Sequence, residues 1–129
     1  MVVGRLVMYK RILNWDYDPK RDITFIFSFH DYDYQESIKL KNMTVDLNPQ
    51  GKAVALEIFD SSKSLEVEKE SLIHPEDFLI DISATNRLLN VNAYFKLTSE
   101  KALIDRTLRE VAVMEQNLII KNILKPIHL

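Results

Sequence analysis

Ile23-Thr24-Phe25-Ile26-Phe27-Ser28-Phe29 is the stretch that decides the fold class. Ile23, Phe25, Phe27 and Phe29 recur at every second position, which is the period of a β-strand. This reading puts those four on a core face and leaves Thr24, Ser28 and His30, together with Ile26, on the other. Just upstream, Asp16-Tyr17-Asp18-Pro19-Lys20-Arg21-Asp22 reads as a turn. Pro19 presets the backbone there, and aspartate side chains bond nearby N–H groups. Further upstream, residues 5–15 supply Leu6, Val7, Met8, Ile12, Leu13 and Trp15 and read as one first strand starting near Tyr9. Residues 1–8 are expected to be nearly dispensable.

Downstream, residues 30–39 are polar and acidic and read as a loop. Met43, Val45 and Leu47 then alternate with Thr44 and Asp46. After Asn48-Pro49-Gln50-Gly51, Val54, Leu56 and Ile58 alternate with Ala55 and Glu57. Two alternating runs around Asn-Pro-x-Gly form a hairpin signature. Pro49 suits the second position of a type I turn, and Gly51 suits the left-handed position after it.

Asp60-Ser61-Ser62-Lys63 has the chemistry of a helix N-cap, and Pro75-Glu76-Asp77 that of a helical first turn. Residues 79–82 form a short apolar run. Val91, Ala93, Phe95 and Leu97 alternate with Asn92, Tyr94 and Lys96, another strand. Residues 102–124 fit either period: Leu103, Leu108, Val111, Met114 and Leu118 sit at helical spacing, while Val111, Val113, Ile119 and Ile120 favour a strand. The expected fold is mainly β, an antiparallel meander with one or two short helical turns, α+β remaining open for the C-terminal segment. One domain over residues 1–129 is expected, with a meander core at 12–65 and strands from 66–129 completing the same sheet.

Two motifs resemble domain of unknown function family 2283, a small prokaryotic β-meander family. The first is Tyr17-Asp18-Pro19-Lys20-Arg21-Asp22 followed by Ile23-Thr24-Phe25-Ile26. The second runs from Val45-Asp46-Leu47 through the glycine turn to Leu56-Glu57-Ile58-Phe59-Asp60-Ser61-Ser62. The chain departs from the pattern at Ala55, where the family usually has Gly, and at Ser61, where it usually has Ala. The resemblance covers about residues 12–65 and implies a small antiparallel sheet without an assigned activity. It also implies an antitoxin-like role for part of the family, beside a protein partner from a neighbouring gene.

Composition narrows function by exclusion. The chain has 129 residues, a net charge of −2 and no cysteine, so disulfides, thiolate metal sites and cysteine nucleophiles are out. Charge is uneven: residues 1–13 carry Arg5, Lys10 and Arg11 with no acid, residues 14–100 are acidic, and residues 101–129 are again basic. A basic patch where the termini meet is one reading of this, and scattered solvated charge is the simpler one. No window approaches the ~18 consecutive apolar residues of a membrane helix. Gly4 and Arg5 break the early apolar run. A cytoplasmic protein with no membrane contact is expected.

The candidate sites each have a plainer explanation. Asp16, Asp18, Asp22 and Asp60 could surround a cation, but the sixth position of a calcium loop lacks Gly, and Phe27 stands at the twelfth where Glu is needed. Turn capping, with Asp22 near Lys20 or Arg21, explains them better. His30, His74 and His128 show no ligand spacing. Ser61 and Ser62 lack a nucleophile elbow and serve a helix start. Phe25, Phe27, Phe29, Tyr32 and Tyr34 resemble a base-stacking series, but Asp31, Asp33 and Glu36 repel phosphate. Glu57, inside an apolar strand, is expected to face solvent. No catalytic, cofactor-binding or metal-ligating residue is assigned. The expectation is a non-enzymatic, self-associating interaction or scaffold module. A homodimer is expected through an edge at residues 91–97 and the apolar Leu118, Ile119, Ile120, Ile123, Leu124 and Ile127. A small-ligand- or nucleic-acid-associated regulator is the alternative, although the acidic centre disfavours nucleic acid.

Overall fold

The computed structural model describes residues 4–28, 33–50 and 52–115. Among these, nine strands form two antiparallel sheets, so the chain is mainly β as expected. In chain order they are β1 (Gly4–Tyr9), β2 (Leu13–Asp18), β3 (Ile23–Ser28), β4 (Glu36–Lys39), β5 (Met43–Leu47), β6 (Ala53–Ile58), β7 (Asp77–Ala84), β8 (Leu88–Ser99) and β9 (Ala102–Val113). One short helix, α1 (Ser61–Leu65), and two 3₁₀ turns, Lys10–Ile12 and Lys69–Leu72, interrupt them.

The first sheet runs β1-β7-β8-β9, and the second runs β2-β3-β6-β5-β4. Their facing sides share one hydrophobic cluster. β8 supplies Leu89, Val91, Ala93, Phe95 and Leu97, all buried, alternating with Asn90, Asn92, Tyr94 and Lys96. β7 supplies Phe78, Ile80, Ile82 and Ala84. From the second sheet come Ile26, Met43, Val45, Leu56 and Ile58. A strand of period two hides half its side chains only if a second layer covers that face, and each sheet supplies the cover for the other.

Three sequence expectations are corrected by this layout. The single first strand is two: β1 pairs with β7 in one sheet and β2 with β3 in the other, because the 3₁₀ turn at Lys10–Ile12 carries the chain between layers. β1 also buries Met8, so this strand contributes to the core and is not dispensable as expected; residues 1–3 lie outside the described residues. The strands after residue 66 do not complete the first meander. β7, β8 and β9 pair with one another and with β1 as a separate sheet. Residues 102–113 are strand, which settles that part of the ambiguous segment. Residues 116–129, including the C-terminal apolar series, lie outside the described residues, as do Phe29, His30, Tyr32 and Gly51.

The face assignment of β3 is inverted. Thr24 and Ile26 point into the core, at 0% and 1% exposure, while Phe25 and Phe27 are half-buried on the outer side. The two rings stack there at 4.8 Å. Pairing explains the choice. Ile26 lies opposite Trp15 on one side and Leu56 on the other, and Thr24 lies between Tyr17 and Ile58. The large aromatics of β2 occupy the core side, and Thr24 is tolerated inside because its hydroxyl donates to Ser61 Oγ at 2.8 Å.

In β6, residues 53–56 are all buried. The register shifts so that Asp46 faces Ala55 while Leu47 faces Ala53, leaving Val54 as an extra residue in the manner of a β-bulge. Strict alternation of Val54 with Leu56 and Ile58 therefore fails. The hairpin turn is held by Asn48, whose Oδ1 accepts the N–H groups of Gln50 and Lys52.

Candidate functional site

The sequence-flagged aspartates are separated by the fold. Asp16 and Asp18 sit on the outer side of β2, whereas Asp22 is buried. Asp22 adopts a left-handed backbone, φ 56°, at the end of the β2–β3 turn. Its carboxylate accepts the Tyr17 hydroxyl at 2.6 Å, the Ser62 hydroxyl at 2.7 Å and the Ser62 N–H at 3.0 Å. Its carbonyl accepts the Ser61 N–H. Asp22 thus caps α1 from 40 positions away. Asp60, adjacent to the helix, has φ 50° and makes no side-chain cap bond. The expected N-cap chemistry is present, but a different aspartate performs it. Asp22 makes no ion pair with Lys20 or Arg21. The Arg21 ion pair is with Asp18.

The electrostatics follow from these contacts. Burial alone would raise the Asp22 carboxyl, but the hydrogen bonds from Tyr17 and Ser62, with Lys69 nearby, outweigh it and hold it below its usual range. Tyr17 is pushed up, first by burial and then by the same bond to Asp22. The Tyr17–Asp22–Ser62 group is fully engaged in tying a turn to a helix. It resembles a structural clasp more than a reacting centre.

The other flagged residues stand apart. Ser61 is buried and donates to the Ile58 carbonyl. Glu57 is half-buried on the outer side of β6, opposite Phe25 and Thr44, and its carboxyl is raised by burial and by Asp46. It lies on the outer face, as expected, while Leu56 and Ile58 point in, but its neighbours there partly cover it. His74 is exposed in the loop before β7. No group of three or more potential metal ligands exists among the described residues. Among the described residues, the basic β1 and β9 are opposite edges of their sheet. At about 4.8 Å per strand they lie roughly 14 Å apart.

Two features emerge that sequence reading did not locate. The first is an open cleft of about 670 Å³ where the chain crosses between sheets. Leu13, Trp15 and Phe78 line its apolar side, and Lys10, Arg11, His74 and Asp77 line its polar side. The Trp15 ring packs on Phe78 at 5.0 Å and edge-on to Phe95 at 5.8 Å, with its Nε1–H donating to the Leu72 carbonyl at 2.7 Å. Lys10 Nζ donates to the carbonyls of Pro75 and Glu76, joining the two walls. Lys10, Arg11 and Trp15 were read from sequence only as parts of a basic segment and a first strand. Their partner loop, about 60 residues away, was not linked to them.

The second feature is β9. Among the described residues it is a 12-residue strand at an edge of its sheet, free of Pro and Gly. Leu103, Val111 and Val113 on its outer side are 61%, 57% and 78% exposed. On its inner side, Arg106 donates to the Leu65 carbonyl, and Glu110 accepts the Asn42 N–H at 2.8 Å. The expected edge at residues 91–97 is corrected: β8 is flanked by β7 and β9 and is central.

Comparison with known proteins adds little to this geometry. A protein of Methanosarcina mazei named "Putative hypoxanthine phosphoribosyltransferase" is 24% identical over 107 residues, 83% of this chain and 86% of that protein. That likeness does not place the chain in a family. No family model matches, so the resemblance of residues 12–65 to family 2283 rests on the quoted motifs. No solved structure matches the chain. No helix among the described residues is long and apolar enough to cross a membrane.

Proposed function

We propose that the chain is a small, cytoplasmic, non-enzymatic β-sandwich module that works through protein contact and associates with itself. The observation that carries this reading is β9. A long edge strand presents unpaired N–H and C=O groups, a template for another strand. Natural edges blunt that template with proline, bulges or inward charges. β9 has no proline or bulge, and its inward charges, Arg106 and Glu110, are already bonded within the chain. Its exposed aliphatic residues add apolar surface that contact would bury. A scaffold or antitoxin-like role with a second protein fits the same surface. Sedimentation equilibrium at micromolar concentration tests the reading. A dimer mass that dissociates on dilution is expected, and a mass of 15.1 kDa at every concentration overturns it.

A second reading, binding of a small anionic ligand, is favoured by the cleft. Its size lies in the range of small-molecule sites, and it pairs an aromatic floor with a basic rim. The name of the Methanosarcina protein makes purine compounds the first ligands to try. Phosphoribosyl transfer itself is not proposed, since the chain has only Gly4 and Gly51 and therefore no glycine-rich phosphate loop. Trp15 is the sole tryptophan and lines the cleft, so its emission reports binding. A saturable change on adding inosine monophosphate would support this reading. No change at millimolar concentration would remove it.

A further inference from the structure

We propose that two copies of β9 pair antiparallel about a two-fold axis through Thr107, joining the two β1-β7-β8-β9 sheets into one. The inference rests on the self-association reading above and names its surface and register. β9 alternates, so Leu103, Asp105, Thr107, Arg109 and Val111 all lie on the outer side. That series reads the same chemically from both ends around Thr107: an apolar residue, a charge, threonine, the opposite charge, an apolar residue. Antiparallel pairing centred on Thr107 sets Asp105 of each copy opposite Arg109 of the other. It also sets Leu103 opposite Val111, and Thr107 opposite itself.

Each of these is a favourable cross-strand pair, and the two-fold makes the first two occur twice. Neighbouring registers lose the match. Centring on Leu108 puts Asp105 opposite Val111, and centring on Arg106 puts Leu103 opposite Arg109. Both charges are available for the contact. Asp105 and Arg109 are exposed, and neither is in an ion pair among the described residues. On the inner side, Ala102 meets Ala112, while Ile104 and Leu108, packed on the core of their own copy, stand opposite Glu110 and Arg106 of the other.

The chain has no cysteine, so a single introduced thiol reports one contact unambiguously. Thr107→Cys should form a disulfide-linked dimer under mild oxidation, because residues directly opposite in a sheet meet the Cα spacing a disulfide needs. Asp105→Cys alone should not, since the two copies of residue 105 lie about four residues apart along the strand, roughly 14 Å. Asp105→Arg and Arg109→Asp should each weaken the dimer about tenfold, two like-charge pairs replacing two attractive ones. The combined swap should restore it. If the unaltered chain sediments as a monomer, the self-association reading fails and this register with it. If it sediments as a dimer but Thr107→Cys does not cross-link and the charge variants dimerise normally, the register alone is overturned.

Discussion

Replacing Asp22 should cost this protein more than replacing any other aspartate in the β2–β3 turn. A hydrogen bond to an ionised acceptor contributes about 1.5–3 kcal/mol net. Three donors converge on this carboxylate at 2.6–3.0 Å. Ser62 is only half-buried, so water recovers part of its loss, and about 1 kcal/mol per donor is a fair reckoning. Asp22→Ala also puts a residue without local side-chain bonding at φ 56°, for about 1 kcal/mol more. The total is about 3–4 kcal/mol, a large part of the 5–15 kcal/mol that holds a typical domain. Asp22→Asn keeps the turn preference and part of the acceptor set, and should cost about 1–2 kcal/mol. Urea denaturation at pH 7 measures both. The pH dependence follows from the lowered carboxyl: its stabilisation is fully present above the unfolded value near 3.8 and is lost as pH falls through the folded value. The gap between the native chain and Asp22→Asn should stay constant from pH 7 to about 5 and narrow below about 4. A loss under about 1 kcal/mol for Asp22→Ala, or a gap unchanged at pH 3, refutes the clasp.

Ile26→Ala should destabilise by about 3 kcal/mol and more than Phe27→Ala, as measured by chemical denaturation, because Ile26 is enclosed and Phe27 only half so. The reverse order would restore Phe27 to the core. Removing residues 1–9 should lower stability by about 3 kcal/mol or more, since it strips the strand paired with β7 and uncovers Met8; an unchanged melting temperature would count against β1. Trp15→Phe should cost about 1–2 kcal/mol in the same assay through loss of the bond to the Leu72 carbonyl, and no cost would mean that bond is not formed. Asp60→Ala, lacking any side-chain cap bond, should stay below the cost of Asp22→Ala in denaturation, and parity would reassign the cap.

Alternation located most of the strands because it is a local property. It misread the faces of β3. One face of that strand carries Ile23, Phe25 and Phe27 and the other only Ile26 as an apolar residue, so alternation favoured the wrong face; the decision came from β2 and β6, whose partners Trp15, Tyr17, Leu56 and Ile58 lie on the Ile26 side. The same limit hid the cap of α1. Asp60 is adjacent and has the right chemistry, but Asp22 is delivered by tertiary structure and removes the need for it. The cleft was hidden for the same reason: Lys10, Arg11 and Trp15 lie within six residues of one another, and the residues at 73–78 that complete it are distant in the chain.

The edge strand shows where sequence reading goes wrong in a systematic way. Residues 91–97 looked exposed to pairing because they alternate cleanly and carry only one charge. Those qualities suit a strand flanked on both sides, where the inner face is wholly buried and the backbone groups pair with both neighbours, and β8 is that strand. A strand at an edge must keep water-soluble side chains and yet remain able to recognise something. β9 does so by interleaving Asp105, Arg106, Arg109 and Glu110 with aliphatic residues. The inner pair of those charges is bonded to the protein's own backbone. The outer pair, Asp105 and Arg109, lies symmetrically about Thr107; Asp105 stands opposite Lys96 of β8, and neither member of the pair is in an ion pair among the described residues. Opposite charges at mirrored positions of an edge strand make that edge complementary to itself, and selective toward itself, because a shift in register breaks both pairs at once.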